Sequence, residues 1–173
     1  MALAVWTIGH STHPLDQLLA ILHRFDIEVL ADVRRFPASR RLPQYHASAL
    51  AVSLPAAGID YLPLPSLGGR RNPAPDSVNT GWRHSAFRGY ADHVASEEFA
   101  EGLMELVMAA HGLRTAVMCA EVLWWRCHRR LIADVLVSLG ASVTHIMGAD
   151  SAQEHRIAPP ALLDAGGLSY VSS

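Results

Sequence analysis

Lysine is missing from this 173-residue chain, and all 14 of its basic Lys or Arg positions are arginine. That excludes a Schiff-base lysine, and with it ordinary pyridoxal-phosphate chemistry, and also the lysine of a phosphate-binding P-loop. Cysteine is nearly as scarce, with only Cys119 and Cys127, which is not the framework of a small disulfide-built secreted domain. No apolar run approaches the roughly 18 residues that a membrane span needs. The N-terminal stretch lacks a basic-then-apolar signal pattern, so a cytoplasmic location with no membrane partner is expected. Only 17% of residues are charged and the net charge is −2, which gives no general attraction to nucleic acid. What is present is ordinary: half the residues are hydrophobic, enough for one core and a single domain over residues 1–173.

The most informative stretch is Arg114 to Arg130, RTAVMCAEVLWWRCHRR. Thr115 to Met118 is a short apolar run of the kind that fills a buried strand. After Cys127 the pattern turns helical, with Leu131, Ile132, Val135, Leu136 and Leu139 on one face. A strand ending at Cys119, a polar and aromatic loop, and a helix beginning near Cys127 are therefore expected.

The rest of the chain repeats this alternation. Val5 to Gly9 reads as a strand and is followed by a helix with Leu15, Leu18, Leu19 and Leu22 inside. Glu28 to Val33 reads as a second strand, which completes a parallel crossover unit. His46 to Ala57 suits a helix, Ile59 to Leu62 a strand, Ser96 to about Ala110 a helix capped by Ser96, and Ser142 to Met147 a last central strand. Leu168 to Val171 is expected to add an edge strand. Pro63 to Phe87 has almost no apolar period and reads as a long irregular, lid-like loop. The fold class is α/β, a three-layer domain with a mainly parallel central sheet flanked by helices.

Parallel strands bring their carboxyl ends to one edge, and open α/β sheets bind ligands there. The expected strand ends carry His10 and Ser11, Asp32 and Arg34, Cys119 and Glu121, and His145. Cys127 at a helix start, among Arg126, His128, Arg129 and Arg130, is expected to have a lowered pKa. Cys119 can instead be the nucleophile with His10 or His128 as base; the plain alternative makes both cysteines small core residues. Asp32 and Glu121 can move protons or can orient arginines and His10. His13, His23, His93 and His111 read as surface residues.

The spacing departs from the C-x5-R loop of thiol phosphatases, because Arg126 lies one residue too far from Cys119. Zinc sites space their cysteines more closely than Cys119 and Cys127, so no cofactor is expected, although zinc or iron held by Cys119, Cys127 and His128 remains an alternative. Nine arginines (Arg34, Arg35, Arg40, Arg41, Arg70, Arg71, Arg126, Arg129 and Arg130) fall in three loops at this edge, and planar guanidinium groups suit phosphate or carboxylate. Trp82, Trp124 and Trp125 can stack a base beside them or pack in the core.

TIGHS at Thr7 to Ser11, DVRRFPASR at Asp32 to Arg40, LGGRR at Leu67 to Arg71, CAE at Cys119 to Glu121, CHR at Cys127 to Arg129 and THI at Thr144 to Ile146 resemble the "domain of unknown function 488" family. The resemblance runs from about residue 5 to 146. It implies a small bacterial or archaeal α/β domain, with no established activity, whose characteristic positions fall on His10, Asp32, Arg34, Pro37, Ser39, Arg40, Gly68, Gly69, Cys119, Glu121, Cys127, His128 and Arg129. Together these readings lead to an expected thiol-dependent hydrolase or transferase. Its substrate would be a phosphate-bearing small molecule or nucleic-acid component. Cys119, Cys127, Glu121, His10 and Asp32 would supply the chemistry. Ser11, Arg34, Ser39, Arg40, Gly68, Gly69, Arg70, Trp124, His128 and Arg129 would hold the substrate. A metal-dependent Cys/His enzyme and a non-catalytic nucleotide- or nucleic-acid-binding module are the rivals. The sequence does not set the oligomeric state.

Overall fold

The computed structural model describes residues 2–172. Its central sheet has six strands: β1 (Ala4–Gly9), β2 (Val29–Asp32), β3 (Asp60–Pro63), β4 (Thr115–Cys119), β5 (Ser142–Gly148) and β6 (Ser151–Glu154). Their order across the sheet is β3-β2-β4-β1-β5-β6. The first five run parallel, and β6 pairs antiparallel with β5 at the edge. Five helices flank it: α1 (Leu15–Arg24), α2 (Ala47–Ala56), α3 (Ser85–Val94), α4 (Glu97–Gly112) and α5 (Arg129–Ser138). None is long and apolar enough to cross a membrane.

A parallel sheet must be covered on both faces, which is why β2 and β4 read as continuous apolar runs and are buried along their whole length. Side chains alternate between faces along each strand. Val5, Ala31, Val117 and Cys119 therefore join the core under α3, α4 and α5, whereas Ile8, Leu30, Ala116 and Met118 join the core under α1 and α2. Chain direction changes at β1 and β4. From β1 the connection runs through α1 toward β2; from β4 it runs through α5 toward β5 on the other side. Neighbouring strands whose connections leave in opposite directions open a crevice at their carboxyl ends. Gly9 and Cys119, which are paired in register, lie at its floor.

Four expectations change. Leu139 is 68% exposed rather than on the buried face of α5, because the helix ends at Ser138 and Gly140 turns the chain with φ +89°. Residues 168–171 do not extend the central sheet; β7 (Leu162–Asp164) and β8 (Gly167–Ser169) pair with each other as a separate hairpin. His145 lies inside β5, fully buried, rather than at a strand end. His93 is buried too, with Nε2 bonded to the Ser66 carbonyl at 2.7 Å.

The stretch expected to be irregular, 63–87, begins in β3 and ends in α3, and residues 64–84 between them are tied down along their length. Asp92 of α3 accepts from Ala74 N, Ser77 Oγ and Asn79 Nδ2. Trp82 is buried and stacks on Phe87. The Arg71 backbone passes directly over Gly89, where a Cβ would meet the Asn72 carbonyl carbon at 2.7 Å.

Candidate active site at the β1–β4 crevice

Cys119 ends β4 on the α5 face, and Cys127 sits two residues before α5 begins. The loop between them folds back so that the two Sγ atoms lie 2.8 Å apart, and both thiols are free. Two features hold that loop. Gly9 has no side chain, and a Cβ there would run into the Glu121 carbonyl and lie 2.8 Å from the Val122 Cα. Arg129, fully buried, donates through Nη2 to the carbonyls of Glu121 and Val122.

Around Cys127 several groups converge. His128 Nδ1 lies 3.6 Å from its sulfur, and the Arg129 backbone N–H points to it at 3.5 Å. The imidazole cannot choose its tautomer freely. Nε2 is 2.9 Å from the Val33 carbonyl, an acceptor only, so Nε2 carries the hydrogen and the Nδ1 lone pair faces the sulfur. Burial by itself pushes the Cys127 thiol up. The Cys119 S–H, the His128 ring once Nδ1 has taken the Cys127 proton, and the Arg129 guanidinium outweigh it and hold Cys127 well below the ordinary thiol range. Cys119 goes the other way: burial, then its bond to the Cys127 sulfur, push it well above that range. The pair is thus polarised, with Cys127 favoured as the anion and Cys119 as the thiol that bonds to it. Tyr90 lies beside His128, with ring centroids 5.1 Å apart, and donates its hydroxyl to the Leu67 carbonyl at 2.6 Å.

Arg129 also starts a buried chain that leads away from the cysteines. Its Nη1 donates to Thr7 Oγ1 at 3.1 Å, and Thr7 Oγ1 lies 2.6 Å from His145 Nδ1. His145 Nε2 lies 2.9 Å from His155 Nδ1, and His155 Nε2 lies 2.8 Å from Asp134 Oδ1. Tyr170 donates its hydroxyl to the other Asp134 oxygen at 2.9 Å. A guanidinium can only donate and a carboxylate can only accept. With a donor at one end and an acceptor at the other, the hydrogen bonds in between line up toward Asp134. Burial, then His155 and Arg129, lower His145 to about 3, which keeps it neutral.

A second polar cluster occupies the opposite face of the sheet. Asp32 and Arg34 form a bidentate pair, Nε to Oδ1 at 2.8 Å and Nη2 to Oδ2 at 2.7 Å. Tyr61 donates to Asp32 Oδ2 at 2.7 Å, and Arg34 Nη2 also reaches the Tyr45 carbonyl. His10 stacks on Tyr45 and donates Nδ1–H to the Ser11 carbonyl at 2.7 Å, leaving Nε2 to accept from Arg34 Nη1 at 3.3 Å. Burial lowers His10 to about 4, with the Arg34 charge adding to it. The alternation of the strands separates the two clusters: Asp32 is paired in register with Met118, so it faces away from Cys119. Among the described residues the sulfurs and the His10 ring share no hydrogen-bond partner. The clusters meet through the backbone: the His10 N–H donates to the Cys119 carbonyl at 2.9 Å, and Asp32 is followed by Val33, whose carbonyl orients His128.

The remaining candidates divide by exposure. Arg34 and Arg129, expected to hold substrate, have their donors turned to protein acceptors, apart from Arg129 Nε. Ser39, Arg40, Arg70 and Glu121 are exposed, while Ser11 and Gly69 are partly so. Glu121 accepts from the Leu123 N–H at 3.2 Å. Gly68 and Gly69 let the chain close over the site. A Cβ at Gly68 would lie 2.7 Å from Arg35 Cβ, and one at Gly69 would lie 2.9 Å from His128 Nδ1. Arg70 follows with φ 60°. Trp124 is half-buried and stacked flat on His145, with centroids 4.2 Å apart. Trp82 packs in the core. Among the described residues no three His, Cys, Asp or Glu side chains are grouped to hold a metal ion. At 2.8 Å the two sulfurs are also nearer than the roughly 3.8 Å that tetrahedral zinc–sulfur bonds of about 2.3 Å would set.

Thr7, Tyr45, Tyr61, Tyr90, Asp134, His155 and Tyr170 complete these clusters without having been signalled by sequence. Thr7 and Asp134 sit inside regular elements, where a single polar residue in an apolar pattern is the only mark. His155 and Tyr170 come from the weakly patterned C-terminal stretch.

No curated protein and no solved structure matches the chain. A family model does, from residue 14, just past the His10 turn, through α1, both glycines of the 68–69 turn and both cysteines, to residue 136 in α5. That span holds the cysteine pair, His128 and the Asp32–Arg34 pair, and it places this chain in the family described as "Domain of unknown function DUF488".

Proposed function

We propose that the protein is a thiol-dependent enzyme that uses Cys127 as its nucleophile on an anionic, phosphate-bearing substrate. The observation that carries this reading is the surroundings of the Cys127 sulfur. A thiol donor, an imidazole whose Nδ1 is placed to take the Cys127 proton, a backbone N–H at the first turn of the ten-residue α5 and a buried guanidinium all favour its anionic form. A buried cysteine with only a packing role needs none of them.

In this reading Cys127 forms the covalent bond to the electrophilic centre, and His128 Nδ1 takes up and returns the thiol proton. Arg129 and Thr7 keep the loop and the charge in place without touching substrate. Arg40, Arg70 and Arg126, exposed and without a protein partner among the described residues, supply the cations for the anion. Glu121, at the mouth of the crevice, serves the leaving group or an incoming water.

Alkylation rates of both cysteines against pH, resolved by mass spectrometry, test the proposal. Cys127 should react at pH values well below the ordinary thiol midpoint of about 8.5, with Cys119 unreactive. Added inorganic phosphate or a nucleoside monophosphate should slow Cys127, with or without a chelator. Two cysteines inert until the protein unfolds would end the thiol reading. Fast alkylation that is indifferent to phosphate would remove the anionic substrate.

A further inference from the structure

We propose that Cys119 and Cys127 are a hydroperoxide-reducing dithiol that closes to a disulfide across the β1–β4 crevice. The inference rests on the Cys127 nucleophile argued above and not on its phosphate-bearing substrate. Three observations carry it. The sulfurs are already 2.8 Å apart, so forming a bond of about 2.05 Å asks for under 1 Å of movement. The loop that joins them is clamped by Arg129 at the Glu121 and Val122 carbonyls, so their approach is built in. Access to them is narrow, since Cys119 is 3% and Cys127 7% exposed. A molecule the size of hydrogen peroxide fits such an opening better than a large disulfide does.

The chemistry balances with those two residues and one co-reactant. The Cys127 thiolate attacks one oxygen of the hydroperoxide, the O–O bond breaks, and the products are a sulfenic acid on Cys127 and an alkoxide or hydroxide. That anion takes a proton from His128 or solvent and leaves as alcohol or water. Cys119, still carrying its proton, then attacks the Cys127 sulfur. The S–S bond forms as the S–O bond breaks, and the hydroxyl leaves with the Cys119 proton as water. Two thiols and one hydroperoxide give one disulfide, one alcohol or water, and one further water. The two electrons come from the dithiol, and an external dithiol reductant restores it. Cys119 therefore also protects Cys127, because a sulfenic acid resolved at once does not proceed to the irreversible sulfinic acid. Arg129 Nε is buried with no partner among the described residues. It is a spare donor beside the sulfurs for the oxygen that Cys127 would briefly carry.

The test uses the reduced, desalted, full-length chain titrated with hydrogen peroxide at neutral pH. Thiol titration and intact mass should show both thiols lost per equivalent of peroxide, two hydrogens missing from the mass, and full recovery with dithiothreitol. Cys119→Ser should stop at a sulfenic acid on Cys127, trapped by a 1,3-dione, and Cys127→Ser should leave peroxide unconsumed. A wild-type protein that alkylates quickly at Cys127 but accumulates sulfinic acid there, or forms no intramolecular disulfide, overturns the dithiol and leaves the nucleophile standing. Cysteines inert to both reagents overturn both readings.

Discussion

The carbonyl of Val33 accepts the Nε2–H of His128 at 2.9 Å, and that bond decides which ring nitrogen meets Cys127. Val33 directly follows β2, so the position of the imidazole is set by the sheet rather than by a loop. His128→Ala should therefore raise the pH midpoint of Cys127 alkylation and lower its neutral-pH rate by roughly tenfold, the factor that goes with one pH unit or 1.4 kcal/mol of lost thiolate stabilisation. Alkylation rates resolved by residue measure it; an unchanged profile would mean that Arg129, Cys119 and the α5 backbone suffice.

Gly69 supplies a second route to the same ring. A Cβ at this position would lie 2.9 Å from His128 Nδ1 and 3.2 Å from Cγ, closer than an unshifted imidazole allows. Gly69→Ala should push the ring away from Cys127 and slow its alkylation in the same direction as His128→Ala, with a stability change of no more than about 1 kcal/mol. Denaturant unfolding run beside the alkylation separates the two effects. A slow thiol in a grossly destabilised protein would point to a folding role for the glycine instead.

Asp32 should behave differently, because the strand alternation puts it on the other face of the sheet. Its oxygens neutralise Arg34 and accept from Tyr61. Asp32→Asn leaves that buried guanidinium without its counter-charge, and breaking such a pair costs about 3–5 kcal/mol. Urea or guanidinium unfolding should show that loss, while Cys127 alkylation in the folded protein stays near the wild-type rate. A variant of normal stability whose Cys127 no longer reacts would place Asp32 in the chemistry.

Strand and helix periods were enough to read β1 through β5, α1, α2, α4 and α5, because apolar residues on a covered sheet or helix face must repeat at 2 or 3.6. Helix α3 was hidden by its surroundings, since Gly89 and its polar residues serve the packed 63–87 segment rather than an amphipathic stripe. The strand-end argument pointed to Cys119, His10, Asp32 and Arg34, and the helix-start pattern to Cys127 and His128. It missed that one residue of register separates them: Cys119 and Met118 face opposite ways, and Asp32 pairs with Met118. His145 shows the same limit. Its place in the middle of β5 against Thr7 is a matter of partner and register, which no single-strand pattern contains.

Two buried histidines predict how stability changes with pH. His10 is lowered to about 4 by burial, with Arg34 and to a lesser degree His13 adding to it and Ser11 and Asp32 partly offsetting it, and His145 to about 3 by burial, His155 and Arg129. In the unfolded chain both return to about 6.5. As pH falls from 6.5 toward 4 the unfolded chain binds protons that the folded chain refuses, so stability drops. The stabilisation is complete above the unfolded value and is gone once pH passes below the folded ones. Each such proton adds at most about 1.4 kcal/mol per pH unit to the slope. Carboxylates titrate in part of the same range, so the comparison that isolates His10 is a variant. His10→Gln should be less stable at pH 7 yet lose stability less steeply between about pH 6.5 and 4.5 than the wild type. Parallel slopes for the two proteins would show that His10 takes up its proton in the folded state as readily as in the unfolded one, and that the Arg34 bond does not hold its ring neutral.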